Sequence, residues 1–159
     1  MIEEVFLDKS TWAKLPHKFE AGTPAIGEAI GMGEALQYLK IVGLENIQTW
    51  ERILTQHLFK SLNNINGIKI FGPDPQERSN RGSLATFSVE GAHANDIAEL
   101  LDASGICIRS GHHCCQPLHR HYGLTASARA SLSFTSTIEE IDSFIEELAS
   151  TIDFLRKNS

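Results

Sequence analysis

The hydrophobic period of this chain changes partway along its length, and that change restricts the folds open to it. From Ala25 to about Lys40 the spacing is helical, with Ile26, Ile30, Gly33 or Glu34, and Tyr38 on neighbouring faces. Gly43 breaks the pattern, and a second helix is predicted from Leu44 to Asn63. Its broad stripe is Ile47, Trp50, Ile53, Leu54, His57, Leu58 and Leu62. After Asn66-Gly67 the period shortens to that of strands. Ile68 to Phe71 reads as one strand and Leu84 to Val89 as another, with Ala85, Phe87 and Val89 sharing a face. A helix over 93–103 follows, with His93 or Asn95 as cap and Gly105 as stop. Strands are expected at Ile106–Arg109 and Ala130–Phe134, with a loop over 111–125 between them. Thr137 and Glu140 have capping-box spacing at the head of a final helix carrying Ile141, Phe144, Ile145, Leu148, Ile152 and Leu155. The order helix, helix, strand, strand, helix, strand, strand, helix predicts an α+β fold: a small, mostly antiparallel sheet covered by helices.

Residues 1–24 read as an irregular segment ahead of a folded body over 25–159. Pro24 biases Thr23 away from helix and turns the chain there. Gly27, Gly31 and Gly33 weaken the first helix but permit close backbone approach, so tight packing is expected of it. Residues 72–81 form a polar surface loop rather than a linker, and no internal repeat interrupts the chain.

The 159 residues are the size of one domain. A chain this long can bury roughly 68–70% of its unfolded surface, enough for a core without disulfides or metal. Lys and Arg number 14 against 20 Asp and Glu, a net charge of −6, which argues against nucleic acid or an anionic membrane as partner. No apolar run approaches the ~20 residues of a membrane helix. Met1-Ile2-Glu3-Glu4 carries acids where a secretory signal has bases. The three cysteines, Cys107, Cys114 and Cys115, are odd in number with two adjacent, a poor disulfide framework. Reduced thiols and a cytoplasmic location are the expectation.

Chemistry concentrates in Arg109-Ser110-Gly111-His112-His113-Cys114-Cys115. A thiol here has two imidazoles and a guanidinium nearby, and positive neighbours favour the nucleophilic thiolate. Gly111 lets the backbone turn so that a thiol can project. One reading is therefore an activated cysteine on a loop. Zinc is a second, since His112, His113, Cys114, Cys115, His119 and His121 are all possible ligands. However, consecutive His-His-Cys-Cys spaces ligands too closely to converge well. A loop of solvated histidines and structural cysteines is the third. Cys107, between Ile106 and Ile108, is expected to be a buried, inert thiol.

The segment Arg109-Ser110-Gly111-His112-His113-Cys114-Cys115-Gln116-Pro117-Leu118 closely resembles the active-site segment of SufS-type (group II) cysteine desulfurases, pyridoxal-phosphate enzymes of the class V aminotransferase family. Thr11-Trp12-Ala13-Lys14-Leu15-Pro16-His17-Lys18-Phe19-Glu20-Ala21-Gly22-Thr23-Pro24 resembles the stretch entering that family's small domain. Arg129-Ala130-Ser131-Leu132 resembles its substrate-binding arginine strand. The blocks stand in family order, and the likeness spans nearly the whole chain. It implies the C-terminal domain of a fold-type I pyridoxal-phosphate transferase.

The resemblance also implies roles. Cys114 accepts sulfur from L-cysteine as a persulfide, with release of L-alanine. Arg129 binds the substrate carboxylate, a role suited to a planar guanidinium. Arg109 orients the loop or the substrate. Gly22 and Thr23 reach the cofactor phosphate of a neighbouring subunit, so a homodimer is implied. His112 and His113 tune Cys114 or close the pocket. Cys115 departs from the family pattern, and because adjacent side chains point apart it need not enter the site. A SufE- or SufU-like sulfur acceptor and a role in iron–sulfur cluster assembly are expected. A selenocysteine lyase, or a non-catalytic sulfur-relay or docking module, would use the same thiol.

The family's pyridoxal-phosphate lysine follows a histidine upstream of these blocks. His17-Lys18 imitates that pair but lies within the later block, so Lys18 is not expected to form the Schiff base. Met1-Ile2-Glu3-Glu4 looks like family interior. The expectation is a C-terminal part of a desulfurase that lacks the large cofactor domain and is inactive alone.

Overall fold

The computed structural model describes residues 1–77 and 81–158. Residues 78–80, part of the expected 72–81 loop, lie outside the described residues. The chain divides into two compact units, Met1–Leu44 and Glu45–Ser159.

The first unit is more regular than expected of 1–24. Strand β1 (Ile2–Val5) pairs antiparallel with β2 (Ser10–Trp12), Ile2 opposite Trp12 and Val5 opposite Ser10. A 3₁₀ turn spans His17–Phe19. Helix α1 (Ile26–Val42) forms where its period predicts, yet it buries no residue. Ile26, Ile30 and Tyr38 are all exposed. The tight packing expected of its glycines is not found: a Cβ placed at Gly27, Gly31 or Gly33 meets nothing within 4 Å.

The second unit holds the core. Helix α2 (Leu44–Asn63) leads into a four-stranded antiparallel sheet of order β3-β4-β6-β5. Its strands are β3 (Ile68–Phe71), β4 (Leu84–Val89), β5 (Arg109–Gly111) and β6 (Ser127–Ser131). Helix α3 (Ala94–Ala103) joins β4 to β5, short helix α4 (Gln116–Tyr122) joins β5 to β6, and α5 (Ile138–Lys157) closes the unit. This is the α+β architecture that the change of period requires.

The two faces of the sheet differ because strand residues alternate. Ala85, Phe87 and Val89 of β4 and Ala128 and Ala130 of β6 are buried in one core cluster with Leu54, Leu58 and Leu62 of α2, Ile97 and Leu101 of α3, and Ile141, Phe144, Leu148 and Ile152 of α5. Each fully buried Leu, Ile or Phe contributes roughly 1.5–3 kcal/mol over leaving it exposed. The alternate residues, including Leu84 and Thr86 of β4 and Ser127 and Arg129 of β6, line a cavity with side chains of α4. Thr86 stands directly opposite Arg129 in the register.

Caps fall where the side-chain chemistry places them. His93 Nδ1 accepts from the Asn95 N–H at 3.2 Å at the head of α3. Thr137 Oγ1 accepts from Glu140 N–H at 3.1 Å while Glu140 Oε2 accepts from Thr137 N–H at 3.0 Å, a complete capping box for α5.

Four sequence expectations about the second unit are corrected. The third strand is Arg109–Gly111 rather than Ile106–Arg109. Ile106 N–H is spent on Leu101 O at 2.9 Å, closing the turn after α3, and leaves Ile106 and Ile108 as core packing ahead of the strand. The fourth strand is Ser127–Ser131 rather than Ala130–Phe134, because its pairing runs Arg109–Arg129 to Gly111–Ser127. The 111–125 loop contains α4, with Pro117 in its first turn and Gly123 ending it in the left-handed region at φ 69°. With the strand displaced, Cys107 is exposed rather than buried, and its Sγ donates to Asp102 Oδ1 at 3.5 Å.

Candidate active site

The turn that carries the thiols is built from an unusual backbone. Cys115 N–H donates to His112 O at 2.9 Å. The two residues between, His113 and Cys114, have φ of 52° and 61°. Two consecutive positive φ values characterise a type I′ turn, which favours Asn and Gly. A His and a Cys here store strain of order 1–3 kcal/mol each, as residues at functional sites often do. Gly111, at φ 106°, adopts a backbone that other residues resist.

The turn sends the two adjacent thiols to different surroundings. Cys114 is exposed. Arg109 Nη2 donates to its Sγ at 3.3 Å, placing a fixed positive charge on the sulfur. Cys115 instead lines the cavity. Its Sγ donates to His112 O at 3.1 Å and lies 3.7 Å from His119 Nδ1. The sequence left the place of Cys115 open, and the fold puts it on the cavity wall.

Behind Cys115 runs a chain of polar groups. His119, on α4, is only 5% exposed, and Ser127, at the start of β6, is fully buried. Ser127 Oγ is 2.9 Å from His119 Nε2 and 3.1 Å from His113 Nε2. Burial first, and then the positive guanidinium of Arg129 with His119 and Arg109 nearby, hold the His113 imidazole below its ordinary pKa. His112 is exposed, its ring 5.7 Å from that of His119.

The cavity has a volume of about 240 Å³. Phe71, Leu84, Leu118 and Leu124 give it apolar walls; Arg129, His113, His119 and Cys115 give it polar ones. The Phe71 and Tyr122 rings meet at 5.2 Å beside it. Two buried nitrogens, Arg129 Nε and His113 Nδ1, have no hydrogen-bond partner among the described residues. A buried donor without a partner costs about 1–3 kcal/mol, and such a cost is commonly retained for a ligand.

The structure thus brings Arg109, His112, His113, Cys114 and Arg129 to one end of the sheet. Gly22 and Thr23 lie in the Met1–Leu44 unit, both exposed, with Gly22 at φ 78°. His119 entered the sequence reading only as a possible zinc ligand, and Ser127 did not enter it. The signal for His119 was its position four residues after Cys115, one turn on; Ser127 had none, because β6 brings it in. Among the described residues, no three or more His, Cys, Asp or Glu side chains converge on a metal site.

Residues 1–144 match the family model "Aminotransferase class-V". The chain belongs to this family. Within it, the chain is 53% identical over 154 residues to a probable cysteine desulfurase of Synechocystis sp., covering 97% of this chain and 36% of that protein. It is 47% identical over 148 residues to a probable cysteine desulfurase of Xylella fastidiosa (strain 9a5c), covering 93% and 35%. Among solved structures, the cysteine desulfurase CsdA from Escherichia coli superposes with a TM-score of 0.79 at 30% identity, over 97% of this chain and 37% of that one. The apo cysteine desulfurase from Thermococcus onnurineus also gives 0.79, at 32% identity over 96% and 38%. The chain therefore spans little more than a third of the length of these relatives. Among the described residues, no helix is long and apolar enough to cross a membrane.

Proposed function

We propose that this chain is the small domain of a pyridoxal-phosphate-dependent, SufS-type cysteine desulfurase, with Cys114 as the thiol that takes sulfur from L-cysteine. One observation carries the reading. An exposed thiol stands on a strained turn, with a guanidinium 3.3 Å from its sulfur. A thiol presented in this way is placed to attack a sulfur brought to it from outside the domain. The names of the relatives support the choice of substrate.

The chain's own residues divide the remaining work. Arg129 binds the substrate carboxylate, for which its unpartnered Nε is a ready donor. Arg109 stabilises negative charge on Cys114. His113 and His112 flank the thiol, and the Gly22–Thr23 turn offers a hydroxyl and backbone N–H groups to a cofactor phosphate. Sulfur ends as a persulfide on Cys114 and L-alanine leaves.

Pyridoxal phosphate is held by a lysine Schiff base. The cavity supplies a guanidinium, imidazoles and a thiol but no lysine amine. These residues do not fit the group by themselves, and breakage of the carbon–sulfur bond is assigned to none of them. The proposal places the cofactor lysine in a large domain within the additional length that the relatives have. It further holds that the complete protein is a cytoplasmic homodimer that passes sulfur to a SufE- or SufU-like acceptor for iron–sulfur cluster assembly.

The test supplies L-cysteine and pyridoxal phosphate to this chain alone and to the protein encoded by its full reading frame, and measures L-alanine. The chain alone gives none and the full-length protein turns over. Sustained turnover by the chain alone, with a borohydride-reducible adduct on one of its lysines, would contradict the division of labour.

A further inference from the structure

Cys115 plays no part in the reading above, yet among the described residues it is the thiol that faces the cavity. It is not an isolated cysteine. Its Sγ is 3.7 Å from the Nδ1 of His119, a histidine 5% exposed whose other nitrogen is tied through Ser127 Oγ to His113. The same cavity holds the buried Arg129 Nε, a donor with no partner among the described residues. A thiol, a buried base and an unpaired cationic donor together make a place for a sulfur anion.

We propose that Cys115 is a second sulfur site, which takes the outer sulfur from the Cys114 persulfide and holds it inside the cavity. The inference rests on Cys114 being the first acceptor. His119 Nδ1 also lies 3.3 Å from the Cys115 carbonyl oxygen, so the step uses the tautomer in which Nε2–H donates to Ser127 Oγ: Nδ1 then takes the Cys115 thiol proton, and the resulting thiolate attacks the outer sulfur of Cys114–S–SH. A new S–S bond forms on Cys115 as the old one breaks. The bonding pair returns to Cys114 Sγ as thiolate, the charge that Arg109 Nη2 faces at 3.3 Å. One sulfur moves, the proton stays on it, and no outside oxidant is needed. Consecutive Cα atoms are about 3.8 Å apart, so the transfer runs between neighbouring side chains and requires the Cys114 persulfide to rotate towards Cys115.

The cavity suits the cargo. Phe71, Leu84, Leu118 and Leu124 give a polarisable persulfide apolar walls, and Arg129 Nε is placed to donate a hydrogen bond to its sulfur. Cys114 on the exposed turn collects sulfur; Cys115 in the cavity keeps it.

The experiment treats the protein with cysteine persulfide, quenches by alkylation at intervals, and locates the extra sulfur by fragmenting the tryptic segment Ser110–Arg120. Sulfur is expected first on Cys114 and later mainly on Cys115. In Cys115→Ser, a near-isosteric change, it stays on Cys114. In Cys114→Ser, loading of Cys115 slows about tenfold or more because the neighbouring donor is lost. His119→Asn slows the second step by about a hundredfold, as loss of a general base does. Sulfur that stays on Cys114 at all times in the unmodified protein overturns the relay alone. So does Cys115 loading at an undiminished rate in Cys114→Ser, or release of sulfide with a Cys114–Cys115 disulfide. Sulfur found on neither thiol overturns both the relay and the role of Cys114.

Discussion

Arg109 on β5 stands directly opposite Arg129 on β6. Like charges facing each other across an antiparallel pair destabilise it. Arg109 discharges part of that cost on the Cys114 sulfur, 3.3 Å from its Nη2, whereas Arg129 Nε is buried without a partner among the described residues. A fold that keeps two opposed guanidiniums is arranged for anions. Arg129→Met should therefore stabilise the chain, by about 0.5 kcal/mol on the scale of cross-strand pairs. In the full-length protein it should raise KM for cysteine about tenfold or more, as loss of a charged hydrogen bond does. Urea unfolding and steady-state kinetics measure the two effects, which have opposite signs for function and stability.

Arg109 acts on the sulfur itself. Arg109→Gln removes the positive donor at Cys114 while keeping a polar side chain. Alkylation of Cys114 by iodoacetamide should slow several-fold, while Cys107, bonded to Asp102 instead, should react as before. Competitive labelling read by mass spectrometry reports both thiols in one sample.

His113 makes stability depend on pH in a defined direction. Burial, Arg129, His119 and Arg109 hold its pKa below the ordinary 6.5. The unfolded chain then takes up a proton before the folded chain does. The stability contributed is complete above pH 6.5 and falls as the pH drops through that value towards the folded pKa. His113→Gln should flatten this limb of the profile, and urea midpoints measured from neutral to mildly acidic pH would show it.

The capping box of α5 offers a test confined to the scaffold. Thr137→Ala leaves Glu140 N–H without its side-chain acceptor at the head of a 20-residue helix. The expected loss is about 1 kcal/mol. Iodoacetamide reactivity of Cys114 should not change, because Thr137 is remote in sequence from the turn and serves only the helix.

What was legible in the sequence was what local chemistry decides. The bounds of α2, β3 and β4 follow from period alone, and the caps at His93 and Thr137 follow from side chains that reach their own backbone. The strands β5 and β6 were misplaced because apolar content drew the reading to Ile106–Ile108 and Leu132–Phe134, whereas register is set by the partner strand. Helix α4 is seven residues long and rich in His and Arg, too short and polar to show a period. The motif marked Cys114 and Arg129, but the Cys115–His119–Ser127 chain arises only when α4 and β6 close over the turn.

The central claim is that sulfur leaves cysteine by way of Cys114. The direct measurement incubates the full-length protein with ³⁵S-labelled cysteine, traps persulfides by alkylation, and follows label in the segment Ser110–Arg120 alongside L-alanine. The account predicts label there before any acceptor is added, and loss of both label and alanine in Cys114→Ala. Alanine formed at an undiminished rate by Cys114→Ala, with no label on the segment, would contradict it.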